Sequence, residues 1–90
     1  MARVHLEIVG RVQGVGYRWF AREQARRLGV AGWVRNRDDG SVEVTASGPD
    51  ELVASLVEEL RAGPPGARID GIRQLADPGG DLPHPFSIVK

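Results

Sequence analysis

The residues best equipped for chemistry lie between Gly10 and Arg18, in the run Gly-Arg-Val-Gln-Gly-Val-Gly-Tyr-Arg. Gly10, Gly14 and Gly16 tolerate positive φ and carry no Cβ, so successive backbone N–H groups can converge on one point. A helix follows, and its first-turn N–H groups, which have no partner inside the helix, point the same way. Arg18 stands in that first turn, where a guanidinium can fork onto two oxygens of a phosphate. The pattern suits a dianion cradle made by the backbone of Gly10, Arg11, Val12, Gln13, Gly14, Val15 and Gly16, with one built-in cation. Two nucleotide motifs are absent. A P-loop needs Gly-Lys-Ser/Thr where Gly16 is followed by Tyr17 and Arg18, and the dinucleotide fingerprint needs a third glycine where Trp19 stands.

A strand must lead into this turn and a helix must leave it. Val4, Leu6 and Ile8 alternate with Arg3, His5 and Glu7, the period of a half-buried strand. Beyond the turn, Tyr17, Phe20, Ala21, Gln24, Ala25 and Leu28 form one helical stripe facing a sheet, with Trp19, Arg22 and Arg26 turned outward and Gly29 as a left-handed cap. Val30 to Asn36 and Ser41 to Ser47 are β-rich and form a hairpin across Arg37-Asp38-Asp39-Gly40. Asn36 closes the first of these strands, where asparagine ordinarily forms a turn by bonding nearby backbone, and Trp33 reads as a packing residue on the sheet. Gly48-Pro49-Asp50-Glu51 opens a second helix whose buried stripe is Leu52, Val53, Leu56, Val57 and Leu60. Gly63-Pro64-Pro65-Gly66 stops it. The strand from Ala67 to Leu75 slips its alternation between Ile69 and Ile72, predicting a bulge near Asp70-Gly71. A loop over residues 77–83 and a short strand from Phe86 to Val89 follow. The order βαββαβ plus a short C-terminal strand predicts an α+β ferredoxin-like sandwich, with both helices on one face of a mixed, mainly antiparallel sheet.

Ninety residues suffice for one core, so residues 1–90 are expected to form a single domain. The 12 basic and 12 acidic residues balance, which argues against a nucleic-acid or anionic-membrane partner. The absence of cysteine removes disulfides, thiolate nucleophiles and Cys-ligated metals. His5 reads as a strand residue on the open face and His84 as loop, too far apart in pattern for a metal site. No secretory or membrane-spanning apolar run is present, so the expected location is the cytoplasm and the expected state a monomer.

Gly10-Arg-Val-Gln-Gly-Val-Gly-Tyr-Arg18, Gly32-Trp-Val-Arg-Asn36 followed by Asp39-Gly-Ser-Val-Glu-Val44, and Gly63-Pro-Pro-Gly-Ala-Arg-Ile69 together resemble the acylphosphatase family, in its order and spacing over nearly the whole chain. The resemblance implies hydrolysis of the carboxyl–phosphate anhydride of a small-molecule acyl phosphate, with no metal or organic cofactor. It implies that Arg18 binds the phosphate, that Asn36 positions the attacking water, and that the Gly10 to Gly16 backbone holds the phosphate or a similar anion. Trp19, after the arginine, and the ending Phe-Ser-Ile-Val-Lys depart from the family pattern. At this length the free-standing form is expected, and not the large hydrogenase-maturation protein that carries a similar domain at its start.

The competing reading is a non-catalytic ferredoxin-like module that binds an anion or regulates through one. Such a module would use the same cradle but has no call for Asn36 beside it. An RNA-binding version would need base-stacking aromatics on its central strands, and Arg3 to Val9 and Ser41 to Ser47 contain none.

Overall fold

Alternation along the first strand decides the layers. In the computed structural model, which describes residues 1–90, β1 spans Ala2–Arg11, α1 Tyr17–Leu28, β2 Ala31–Asn36, β3 Val42–Gly48, α2 Asp50–Ala62, β4 Arg68–Gln74 and β5 Ser87–Ile88. The five strands form one sheet in the order β4-β1-β3-β2-β5. Neighbours run antiparallel except β2 and β5, which are parallel. This is the expected ferredoxin-like sandwich.

Residues directly opposite one another in an antiparallel sheet point to the same side. The register aligns Val34, Val44 and Leu6 in one row, and Asn36, Val42, Ile8 and Ile72 in another. Both rows face the helices, because Leu6, Ile8, Val34, Val42 and Val44 share a core with Tyr17, Ala21 and Ala25 of α1 and Val53, Leu56 and Leu60 of α2. The register therefore puts Asn36 on the helix-covered side of the sheet.

Half of the stripe read for α1, Tyr17, Ala21 and Ala25, is buried, and Phe20, Gln24 and Leu28 are half-buried. Arg26 is not simply a solvated residue: its Nε donates to the Phe86 carbonyl at 2.8 Å and ties α1 to the start of β5. Gly29 ends the helix at φ 74°, its N–H bonding back to the last turn. In β4, Asp70 is the extra residue, since Val9 pairs with Gly71 and Gly10 with Ile69; this is the predicted bulge. The final strand is shorter than its sequence suggests, Ser87–Ile88, pairing with Trp33 and Val34 of β2, with the Val89 N–H donating once more to the Val34 carbonyl. Residues 75–86 carry the chain from one sheet edge to the other, held by the Arg3–Asp77 ion pair and by the Gly32 N–H donating to the Pro83 carbonyl. Phe86, fully buried, anchors the far end.

Candidate active site

The turn between β1 and α1 folds as its glycines require. Gly14 and Gly16 adopt φ of 77° and 78°, the left-handed region in which an L side chain is strained, and a Cβ at either would meet nothing. Conformation, not space, calls for glycine there. Gly10 differs. Its φ is 134°, and a Cβ would lie 2.0 Å from the Arg68 carbonyl oxygen, so glycine at this position allows β4 to approach beside the bulge.

The amino end of α1 has no capping side chain, and its first turn contains no carboxylate. The first intrahelical bond runs from the Phe20 N–H to the Gly16 carbonyl, leaving the preceding N–H groups and the positive end of the helix available to an anion. Arg18, in this first turn, is exposed and takes part in none of the molecule's ion pairs, whereas Arg35, Arg37 and Arg73 are all committed to glutamates.

Across from the helix end, β2 delivers Asn36. Its side chain does not cap the hairpin turn; that work falls to Asp39, whose Oδ1 accepts from the N–H and hydroxyl of Ser41. The hydroxyl's bond, and after it the N–H's, hold the Asp39 carboxyl below the usual carboxylate range. Asn36 Oδ1 is buried with no partner, and no hydrogen bond within the protein engages either end of the carboxamide. A buried acceptor left unbonded is costly, and its persistence points to a partner from outside. A half-turn of the carboxamide exchanges its oxygen and nitrogen within almost the same volume, so either can be turned to a ligand.

Gly14, Gly16, Arg18 and Asn36 line one cavity of about 260 Å³, walled by Val12, Tyr17, Trp19 and Ile88. That is slightly below the range of about 300–1,000 Å³ usual for drug-sized ligands, and suits a small one. Tyr17 supplies no acid or base: burial pushes its phenol far above the usual range, and its hydroxyl donates to the Leu60 carbonyl at 2.7 Å. Of the other loop residues read from the sequence, Gly10 and Arg11 remain in β1, paired with β4, and Val15 is half-buried. The sequence singles out Gln13 for its backbone alone, yet its side chain is the tie between loop and hairpin. Its Nε2 donates to the Arg37 carbonyl at 2.8 Å and the Ser41 carbonyl at 2.9 Å. No local pattern announces these bonds, because both acceptors are backbone atoms more than twenty residues away.

The family model for acylphosphatase matches residues 4–88. The chain belongs to the acylphosphatase family. It is 45% identical over 85 residues to an acylphosphatase of Rhizobium etli, covering 94% of this chain and 90% of that one. An acylphosphatase of Nitratidesulfovibrio vulgaris is 46% identical over 90 residues, covering 98% and 90%. The crystal structure of acylphosphatase from Bacillus subtilis superimposes with a TM-score of 0.91 at 40% identity, covering the whole of both chains. The same domain shape recurs in a larger family setting: HypF of T. kodakarensis matches all of this chain with 12% of its own, at a TM-score of 0.82 and 35% identity.

Proposed function

We propose that this acylphosphatase-family protein hydrolyses the carboxyl–phosphate anhydride of small acyl phosphates by in-line attack of water on phosphorus, with no metal or organic cofactor. The observation that carries the reading is the meeting, in one cavity, of an unpaired arginine, an uncapped helix end and a carboxamide that the protein itself does not bond. The phosphoryl oxygens lie against the backbone N–H groups of the loop and of the first turn of α1, and Arg18 forks onto two of them. Gly10 and Arg11 contribute by holding the start of the cradle in β1.

Charge develops on the equatorial oxygens and on the leaving oxygen, and donors already in place meet it without reorganising. With its carboxamide turned so that Oδ1 faces the cavity, Asn36 accepts a hydrogen bond from water and holds it opposite the acyl group. The water oxygen bonds to phosphorus as the bond from phosphorus to the acyl oxygen breaks, its electron pair leaving with the carboxylate. A carboxylate departs without a general acid. Asparagine is no base, so the water's proton passes to a phosphoryl oxygen.

The reading extends to the whole chain as a single catalytic unit acting as a cytoplasmic monomer. The monomeric part of the reading is supported by an exterior whose large exposed apolar side chains are Met1, Val9 and Trp19.

The test is hydrolysis of benzoyl phosphate with a metal chelator present. Chelator-insensitive cleavage is expected, with Arg18→Gln losing phosphate affinity and turnover together and Asn36→Ala losing mainly turnover, by about 10²–10³-fold. Near-normal turnover in Asn36→Ala removes that residue from the mechanism. A folded protein that binds phosphate and cleaves nothing is the anion-binding module instead.

A further inference from the structure

The apolar walls of the cavity are not equivalent. Val12 and Tyr17 are each 1% exposed and close its inner end, whereas Trp19 is 58% exposed and Ile88 half-buried. Trp19 and Arg18 line the same cavity, so a ligand held there by the arginine has the indole as part of its wall. The fold finds no other use for this ring. Trp33 packs edge-on to His5 and lies under the Arg35 guanidinium, but no aromatic, cation–π or hydrogen-bonded partner within the protein engages Trp19.

A phosphoryl group seated among the backbone donors leaves one direction for the rest of the substrate. The inner end is closed by buried side chains, so the acyl group extends to the mouth, where Trp19 and Ile88 supply the apolar surface. We infer that Trp19, backed by Ile88, is the platform for the acyl group, and that the site favours acyl phosphates with a planar, aromatic acyl group over short aliphatic ones. The inference rests on the acyl phosphate reading given above. An aryl ring conjugated to the acyl carbonyl is flat and stacks on indole, a contact absent for a methyl group. The platform touches a part of the substrate that does not change on the way to the transition state. Its effect is therefore uniform binding, which moves KM and leaves kcat largely alone.

The experiment compares kcat and KM for benzoyl phosphate and acetyl phosphate in the wild-type protein, Trp19→Ala and Trp19→Phe. In Trp19→Ala the benzoyl-over-acetyl ratio of kcat/KM is expected to fall roughly three- to tenfold, mostly through a higher KM for benzoyl phosphate. Trp19→Phe, which keeps an aromatic face, is expected to retain most of the preference. An unchanged ratio in Trp19→Ala, with both substrates still cleaved, overturns the assignment of Trp19 alone. Cleavage of neither substrate by the wild-type protein overturns the acyl phosphate reading on which it stands.

Discussion

Gln13 joins the two halves of the candidate site. The loop brings the anion donors and the hairpin brings Asn36, and the Gln13 carboxamide bonds both Arg37 and Ser41 carbonyls at the hairpin's mouth. This side chain bonds only the hairpin carbonyls and no part of the proposed substrate, so its role is positioning. Displacing a catalytic group by about 1 Å can cost on the order of 10²-fold in rate. Gln13→Ala is accordingly expected to lower kcat roughly 10- to 100-fold while changing KM much less, the protein remaining folded by circular dichroism. Equal losses in kcat and thermal stability, restored neither by Gln13→Asn nor by low temperature, would make Gln13 an ordinary structural residue. The contrast with Arg18 is instructive about what a sequence discloses. Arg18 and the glycines are legible because a turn and a first helical turn are local features, set by the residues themselves. The partners of Gln13 depend on where the hairpin closes against the loop. Asn36, read locally, is a turn former; the family resemblance singled it out, and the physical reason for its placement is the register that aligns it with Val42 and Ile8.

At the scale of elements, the sheet's far face is as organised as its core. Arg35, Glu43, Glu7 and Arg73 form one row across β2, β3, β1 and β4, so two carboxylates sit directly opposite each other. Such a pair repels unless cations flank it. Arg37 and Arg73 engage Glu7, while Arg35 and His5 engage Glu43: Arg35 Nε donates to Oε1, and His5 Nε2 faces Oε2 while its Nδ1 faces the Ala76 carbonyl. Burial pushes the Glu43 carboxyl up, but hydrogen bonds from His5 and Arg35 outweigh it and hold the group below its ordinary range. A lowered folded-state value means that the stabilisation is present above the unfolded pKa, about 4.3, and is lost as pH falls through the folded value. Glu43→Gln is therefore expected to be less stable than wild type at pH 5.5, by on the order of 2 kcal/mol, with the gap narrowing as pH falls towards 3. Denaturant titrations across that range check it, and a gap that does not narrow would mean that the carboxylate charge contributes nothing. Asp39, Asp70 and Asp77 are also held low, but these carboxylates are themselves exposed to solvent, which gives them little weight. The sequence discloses the alternation that creates this face, since His5 and Glu7 fall opposite Leu6 and Ile8. The row itself requires strand order and register, which no single strand carries.

For the whole molecule, the consequence is that ligand binding and folding are coupled. The cavity draws on the loop after β1, the start of α1, the last residue of β2 and the last strand, so no one element holds it and any loss of packing among them opens it. A ligand that binds only the assembled arrangement stabilises the fold by RT ln(1 + [L]/Kd), about 1.4 kcal/mol at ten times Kd. For a domain of this size that corresponds to a rise in Tm of roughly 6–11 °C. Inorganic phosphate, the proposed product, is expected to raise the Tm of the wild-type protein by this amount at such a concentration, with sodium chloride of equal ionic strength as the control. The rise should largely vanish in Arg18→Gln, which lacks the forked cation, and persist in Asn36→Ala, because Asn36 is proposed to hold water and not phosphate. Differential scanning calorimetry over a phosphate series separates the cases. An equal rise in wild type and Arg18→Gln would place phosphate elsewhere on the protein, and loss of the rise in Asn36→Ala would make that carboxamide a phosphate ligand.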